Sequence, residues 1–135
     1  MKTIHLSRPQ EQINSTFSYT ICIDGKPVRE LKNGETIKLE IDENAELLTT
    51  KLMWCGSQAI SLSDIEDGTT VQVKANTLLN RVLPFLTIAL LFLGILFSDG
   101  TLMKTIMTSM IGLSILLLIG TLTIGRNNWL QTEPI

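Results

Sequence analysis

The sequence predicts an α+β membrane protein: a small N-terminal antiparallel β-sandwich followed by a two-helix transmembrane hairpin. Three observations predict it. Charge is confined to the front of the chain, since beyond residue 77 only Arg81, Asp99, Lys104, Arg126 and Glu133 are charged. Two long apolar runs fill the remainder. Short alternating segments separated by turn signals fill the front. The overall mean hydropathy of +0.28, alongside 18% charged residues, averages two unlike parts. The expected division is a soluble sandwich over 1–76, a helical hairpin over 77–126 and a short polar tail over 127–135.

The front part reads as strands by period-two alternation. Thr3–Arg8 comes first. In Phe17–Ile23 the residues Phe17, Tyr19, Ile21 and Ile23 share one face, and Asp24-Gly25-Lys26-Pro27 turns the chain into Val28–Leu31. Lys32-Asn33-Gly34-Glu35 is a second turn, with positive φ tolerated at both central positions. Thr36–Ile41 follows, then Leu47–Trp54, Ala59–Leu62 and, after Asp67-Gly68, Thr69–Lys74. Turns at this spacing imply a small antiparallel sandwich near the lower size limit for an independent core. Tyr19 and Trp54, each carrying a large apolar payload, are its expected major core residues.

The back part holds two apolar segments, about 78–97 and about 105–124. At about 1.5 Å per residue each spans roughly 30 Å, the hydrocarbon thickness of a bilayer. No charged residue falls between Val82 and Phe97 or between Thr105 and Ile124. The link Ser98-Asp99-Gly100-Thr101-Leu102-Met103 is short and carries an Asp-Gly turn signal, so the helices must run antiparallel. Pro84 costs little if the first helix begins near Leu83, and predicts a kink if it begins at Leu78. Gly125 is placed to end the second helix in the left-handed conformation. Ser109, Gly112, Leu116, Gly120 and Thr123 fall on one face of that helix. Such a face suits close packing against the first helix near Gly94, or against another copy.

Topology follows from the flanking cations. Lys74, Arg81 and Arg126 lie at the outer ends of the hairpin, against Lys104 and Asp99 in its loop. This places both termini in the cytoplasm of a multi-pass protein of the inner (plasma) membrane. The N-terminus turns polar at Ser7-Arg8-Pro9, without the apolar stretch of a cleavable signal peptide. Trp129 suits an interfacial anchor.

Candidate chemistry is sparse. His5 is the only histidine, which excludes a histidine triad or a multi-histidine metal site. Cys22 and Cys55 read as reduced, partly buried thiols, with one disulfide open to them only in an oxidising compartment. Asp64, Glu66 and Asp67 read as a solvated turn, because the ligand spacing of a calcium loop is absent. Gly25, Gly34, Gly56 and Gly68 read as isolated turn glycines and form no phosphate-cradling run. The net charge of −2 gives no footprint for nucleic acid. No catalytic, cofactor-binding or metal-binding residue is assigned, and the chain is expected not to be an enzyme.

The run Tyr19-Thr20-Ile21-Cys22-Ile23-Asp24-Gly25-Lys26-Pro27-Val28, with Leu31-Lys32-Asn33-Gly34-Glu35-Thr36 after it, resembles small bacterial β-domains of the PEGA-like type. Lys51-Leu52-Met53-Trp54-Cys55-Gly56-Ser57 is similar to the strand and turn that follow in them. The resemblance covers about residues 17–74. It departs where Glu43-Asn44-Ala45-Glu46 replaces the usual Gly-His turn and where Arg29-Glu30 replaces a common glycine. It implies a β-sandwich module attached to membrane or surface proteins, with no shared chemistry.

Two functions are compatible with these features. One is a membrane-anchored β-domain that mediates protein interaction or scaffolding, its partners being the lipid bilayer and a protein, either another membrane protein or a second copy. The other is a ligand-binding subunit, for a sugar or other small molecule, that senses or assists in a membrane transport complex.

Overall fold

The computed structural model describes residues 1–96 and 100–135. Phe97 and the Ser98-Asp99 part of the expected turn lie outside the described residues. The chain forms a mixed α+β fold of two sheets and two long apolar helices. It divides into two compact units. One comprises Met1–Asn76 together with Arg126–Ile135, and the other is Thr77–Gly125.

Nine strands build the first unit: β1 Lys2–Ser7, β2 Tyr19–Ile23, β3 Lys26–Leu31, β4 Thr36–Ile41, β5 Leu47–Leu52, β6 Cys55–Gly56, β7 Ile60–Ser61, β8 Thr70–Ala75 and β9 Leu130–Pro134. One sheet has the order β4-β1-β8-β9. The other has the order β3-β2-β5-β6, with β7 pairing on β5. The pairing is not antiparallel throughout, because β1 runs parallel to β8 in the register His5↔Thr70 to Ser7↔Gln72.

Alternation sets the buried faces. In β4, Ile37, Leu39 and Ile41 are buried and Thr36, Lys38 and Glu40 are exposed. In β8, Val71, Val73 and Ala75 are buried. Tyr19, Ile21, Leu48 and Leu31 supply the core side of the other sheet. Each aliphatic side chain fully withdrawn from water is worth about 1.5–3 kcal/mol. The Asp24-Gly25 turn has positive φ at both residues (49° and 77°) and joins the Ile23↔Lys26 pair, as a two-residue hairpin requires. At Asn33-Gly34 only Gly34 is positive, so that turn is not of the mirror-image type.

The structure departs from three expectations. The polar tail is a strand: β9 pairs antiparallel with β8 from Val71↔Pro134 to Ala75↔Leu130, because Leu130 is apolar and reaches the core. Trp54 is not a core residue. It lies in the two-residue turn between β5 and β6 and is half exposed. Gly56 is not a turn glycine: it is buried in β6, and a Cβ there would stand 2.6 Å from the Thr50 carbonyl oxygen.

The second unit begins with a π-helical turn, Leu78–Val82, closed by the Leu83 N–H donating to the Leu78 carbonyl. It continues as α1, Leu83–Leu96. Pro84 lacks the N–H that a regular helix would use, so the irregular turn falls immediately before it. The second helix, α2, runs Thr101–Thr123 and starts earlier than the sequence suggested, directly after Gly100 at φ 97°. Gly125 does not take positive φ. Its N–H bonds back to the Gly120 carbonyl at 3.1 Å, and a Cβ would stand 3.1 Å from Thr121 Cα. Close approach rather than handedness selects glycine there. A 3₁₀ turn, Arg126–Asn128, then leads into β9.

α1 packs on α2 where Gly94 stands beside Ile111 and Met107, and Ser114 and Thr87 are the buried residues of the two helices. The Thr87 hydroxyl donates to Leu83 O and that of Ser114 to Ile111 O, so both buried hydroxyls are satisfied within their own helices. The small-residue face of α2 is not this contact. Gly112 and Gly120 have open space where a Cβ would stand, and Leu116 is exposed.

Candidate interaction surfaces of the β unit

A buried polar cluster fixes the end of the β unit from which the hairpin departs. Arg8 follows β1 and is buried, an arrangement that patterning did not single out. Its guanidinium donates to Glu11 Oε2 (3.2 Å), to Phe17 O (2.6 Å) and to Asn14 O (2.8 Å), and it stacks 3.5 Å from the centroid of the Tyr19 ring. The Tyr19 hydroxyl donates to the same Glu11 oxygen at 2.6 Å. Burial, and then the Glu11 carboxylate, push the Tyr19 phenol well above its ordinary value. The other Glu11 oxygen accepts the backbone N–H of Ala75, and the Glu11 backbone pairs with the Asn33 side chain. The cluster thus ties β1, β2 and a turn to the last residue of β8, one position before Asn76. A buried cation is tolerable only when paired in this way.

The hairpin is inserted between adjacent strands. Ala75 and Leu130 are register partners, and the Asn76 N–H donates to Trp129 O at 2.9 Å. Beside these attachment points lie the exposed features of the unit. Met53 and Trp54 form the β5–β6 turn, with Met53 in the left-handed region at φ 50°. Trp54 meets Trp129 edge to face, ring centroids 5.5 Å apart, and Trp129 is buried. A recess of about 370 Å³ borders Lys51, Trp54, Ser57 and Arg126. A second cleft, of about 330 Å³, is lined by the carboxamides of Gln58, Asn76, Asn128 and Gln131.

At the far edge, β3 hydrogen-bonds only toward β2 within its sheet. Lys26, Pro27, Val28, Arg29 and Glu30 are all exposed, and only Leu31 enters the core. Both faces of this strand are therefore open, and Pro27 and the charges guard it against indiscriminate pairing.

The residues weighed for chemistry are dispersed. Cys22 on β2 and Cys55 on β6 are buried free thiols. Cys55 donates to Leu52 O at 3.2 Å, and burial pushes its thiol up. His5 is on β1, opposite Lys38 and Thr70. Asp67 accepts the Thr3 N–H at 2.6 Å and Asp64 accepts from Ser63, so two of the three turn carboxylates stabilise local structure. Among the described residues no three His, Cys, Asp or Glu side chains gather as a metal site. No family model, curated protein or solved structure matches this chain.

Proposed function

We propose that this chain is a non-enzymatic, membrane-anchored interaction module. The hairpin crosses the inner membrane twice, with both termini on the cytoplasmic face. The two sheets form a PEGA-like sandwich that presents a strand edge to a protein partner. The observation that carries the reading is β3, an edge strand with five consecutive exposed residues and an open pairing side. Strand addition needs such an edge and takes specificity from the flanking side chains, here Val28, Arg29 and Glu30. Two features support the anchor. Leu78–Leu96 and Thr101–Thr123 are each long and apolar enough to cross a membrane, and both are almost wholly unburied. Their outer ends also attach to neighbouring strands of one sheet, as a hairpin entering and leaving on one side requires. A photocrosslinking residue at Val28, in native membranes, tests it. A discrete adduct that disappears when Val28, Arg29 and Glu30 are replaced together is expected. A chain that stays uncrosslinked at Val28 contradicts the reading.

One observation favours the second reading, a ligand-binding accessory subunit. The cleft with four carboxamides offers groups that both donate and accept, suited to sugar hydroxyls, and Gln58 and Asn128 are already aligned at 2.8 Å. Saturable binding of a neutral sugar that is lost in Gln131→Ala would move the function to that cleft.

A further inference from the structure

The face of the β unit around Trp54 sets two aromatic rings beside two cations. Trp54 is held edge to face by Trp129, and the Met53 side chain is more exposed than either ring. The adjoining recess is bordered by two cations, Lys51 and Arg126, and by no carboxylate. Aromatic rings with an apolar body and a polar N–H concentrate at the level of the headgroups, and guanidinium and ammonium groups pair with their phosphates. Arg126 and Trp129 follow Thr123, the last residue of α2, closely in the chain, and Trp54 is 5.5 Å from Trp129 although distant from it in sequence.

We infer that the Met53-Trp54 turn, Trp129, Lys51 and Arg126 form a docking face with which the β unit rests on the phosphate layer of an anionic bilayer. This rests on the proposal that the hairpin spans the membrane. The test uses the full chain reconstituted in vesicles of phosphatidylcholine and phosphatidylglycerol containing lipid brominated near the top of the acyl chains. The chain has two tryptophans, so in Trp129→Phe the emission comes from Trp54 alone. Strong quenching by the brominated lipid is expected. It should weaken in pure phosphatidylcholine and in the double variant Lys51→Gln, Arg126→Gln. If Trp129→Phe fails to fold by circular dichroism, the difference between the natural chain and Trp54→Phe gives the same signal. Quenching of Trp54 only by aqueous iodide, in chains that resist alkaline carbonate, overturns the docking face and leaves the anchor intact. Quenching that ignores both anionic lipid and the two cations overturns the phosphate assignment. Release of the chain by carbonate removes the anchor and the docking face together.

Discussion

The β unit and the hairpin place their apolar side chains in opposite ways. In the β unit Ile4, Leu6, Ile21, Leu48 and Val71 have no exposed surface, and polar residues occupy the alternate positions. In the hairpin Phe85, Ile95, Leu102 and Leu116 are each more than two-thirds exposed, and the polar hydroxyls of Thr87 and Ser114 are the groups turned inward. The β unit hides its apolar surface. The hairpin displays it, in two segments long and apolar enough to cross a membrane. The comparison also separates what stabilises each. The β unit depends on burial and on one buried ionic cluster, and the hairpin on backbone hydrogen bonds closed within each helix.

The largest expected effect falls on the β unit alone. Arg8→Ala leaves Glu11 buried without its cation and should cost about 3–5 kcal/mol. Urea unfolding of the detergent-solubilised chain, followed by tryptophan emission, checks this, and helical circular dichroism should persist after the sheets are lost. Coincident loss of both signals would break the separation of the two units.

Next in size, Leu130→Ala removes a buried side chain from β9 and should cost about 2–5 kcal/mol in the same experiment. A tail that merely trailed from the second helix would show no change. Here the sequence was legible only in part. The strands from Thr36–Ile41 and the turn at Asp24-Gly25 were readable because alternation and turn chemistry are local. So were both helices, from their uninterrupted apolar runs. Strand β9 was not, because Leu130-Gln131-Thr132-Glu133-Pro134 is short, ends in proline and pairs with a strand some 60 residues earlier. Trp54 was misplaced for a related reason: an aromatic signals burial or an interface equally, and its contact with Trp129 joins residues distant in sequence. Arg8 carries no local sign of burial at all.

An intermediate effect concerns pH. The folded unit holds the Tyr19 phenol above its unfolded value of 10.0, so the protonated form is favoured in the native state. The stability this contributes is complete below about pH 10 and is lost as pH rises beyond it. Tyr19 is the single tyrosine, so phenolate absorbance near 295 nm reports it directly. Absorbance should appear together with unfolding of the sheets. Phenolate forming near pH 10 in an intact β unit would show the cluster to be open to water.

The smallest effect belongs to the hairpin. Gly112→Ala and Gly120→Ala place a methyl in open space and should change helix stability by less than about 1 kcal/mol, in the stabilising direction. Gly94→Leu, by contrast, drives atoms into Ile111, whose Cδ1 would stand 2.9 Å from the first added carbon. Guanidine-resistant helicity and gel mobility in detergent distinguish the two sites. Equal sensitivity at both would mean that α1 packs on the small-residue face after all.

A hairpin that enters and leaves the bilayer on one side puts both termini on the same face of the membrane. Protease accessibility of N- and C-terminal tags, in inside-out and right-side-out membrane vesicles, measures this. Both tags should be cut in inside-out vesicles and both protected in right-side-out ones, with the chain retained through alkaline carbonate. Tags cut from opposite sides, or a chain released by carbonate, would contradict it.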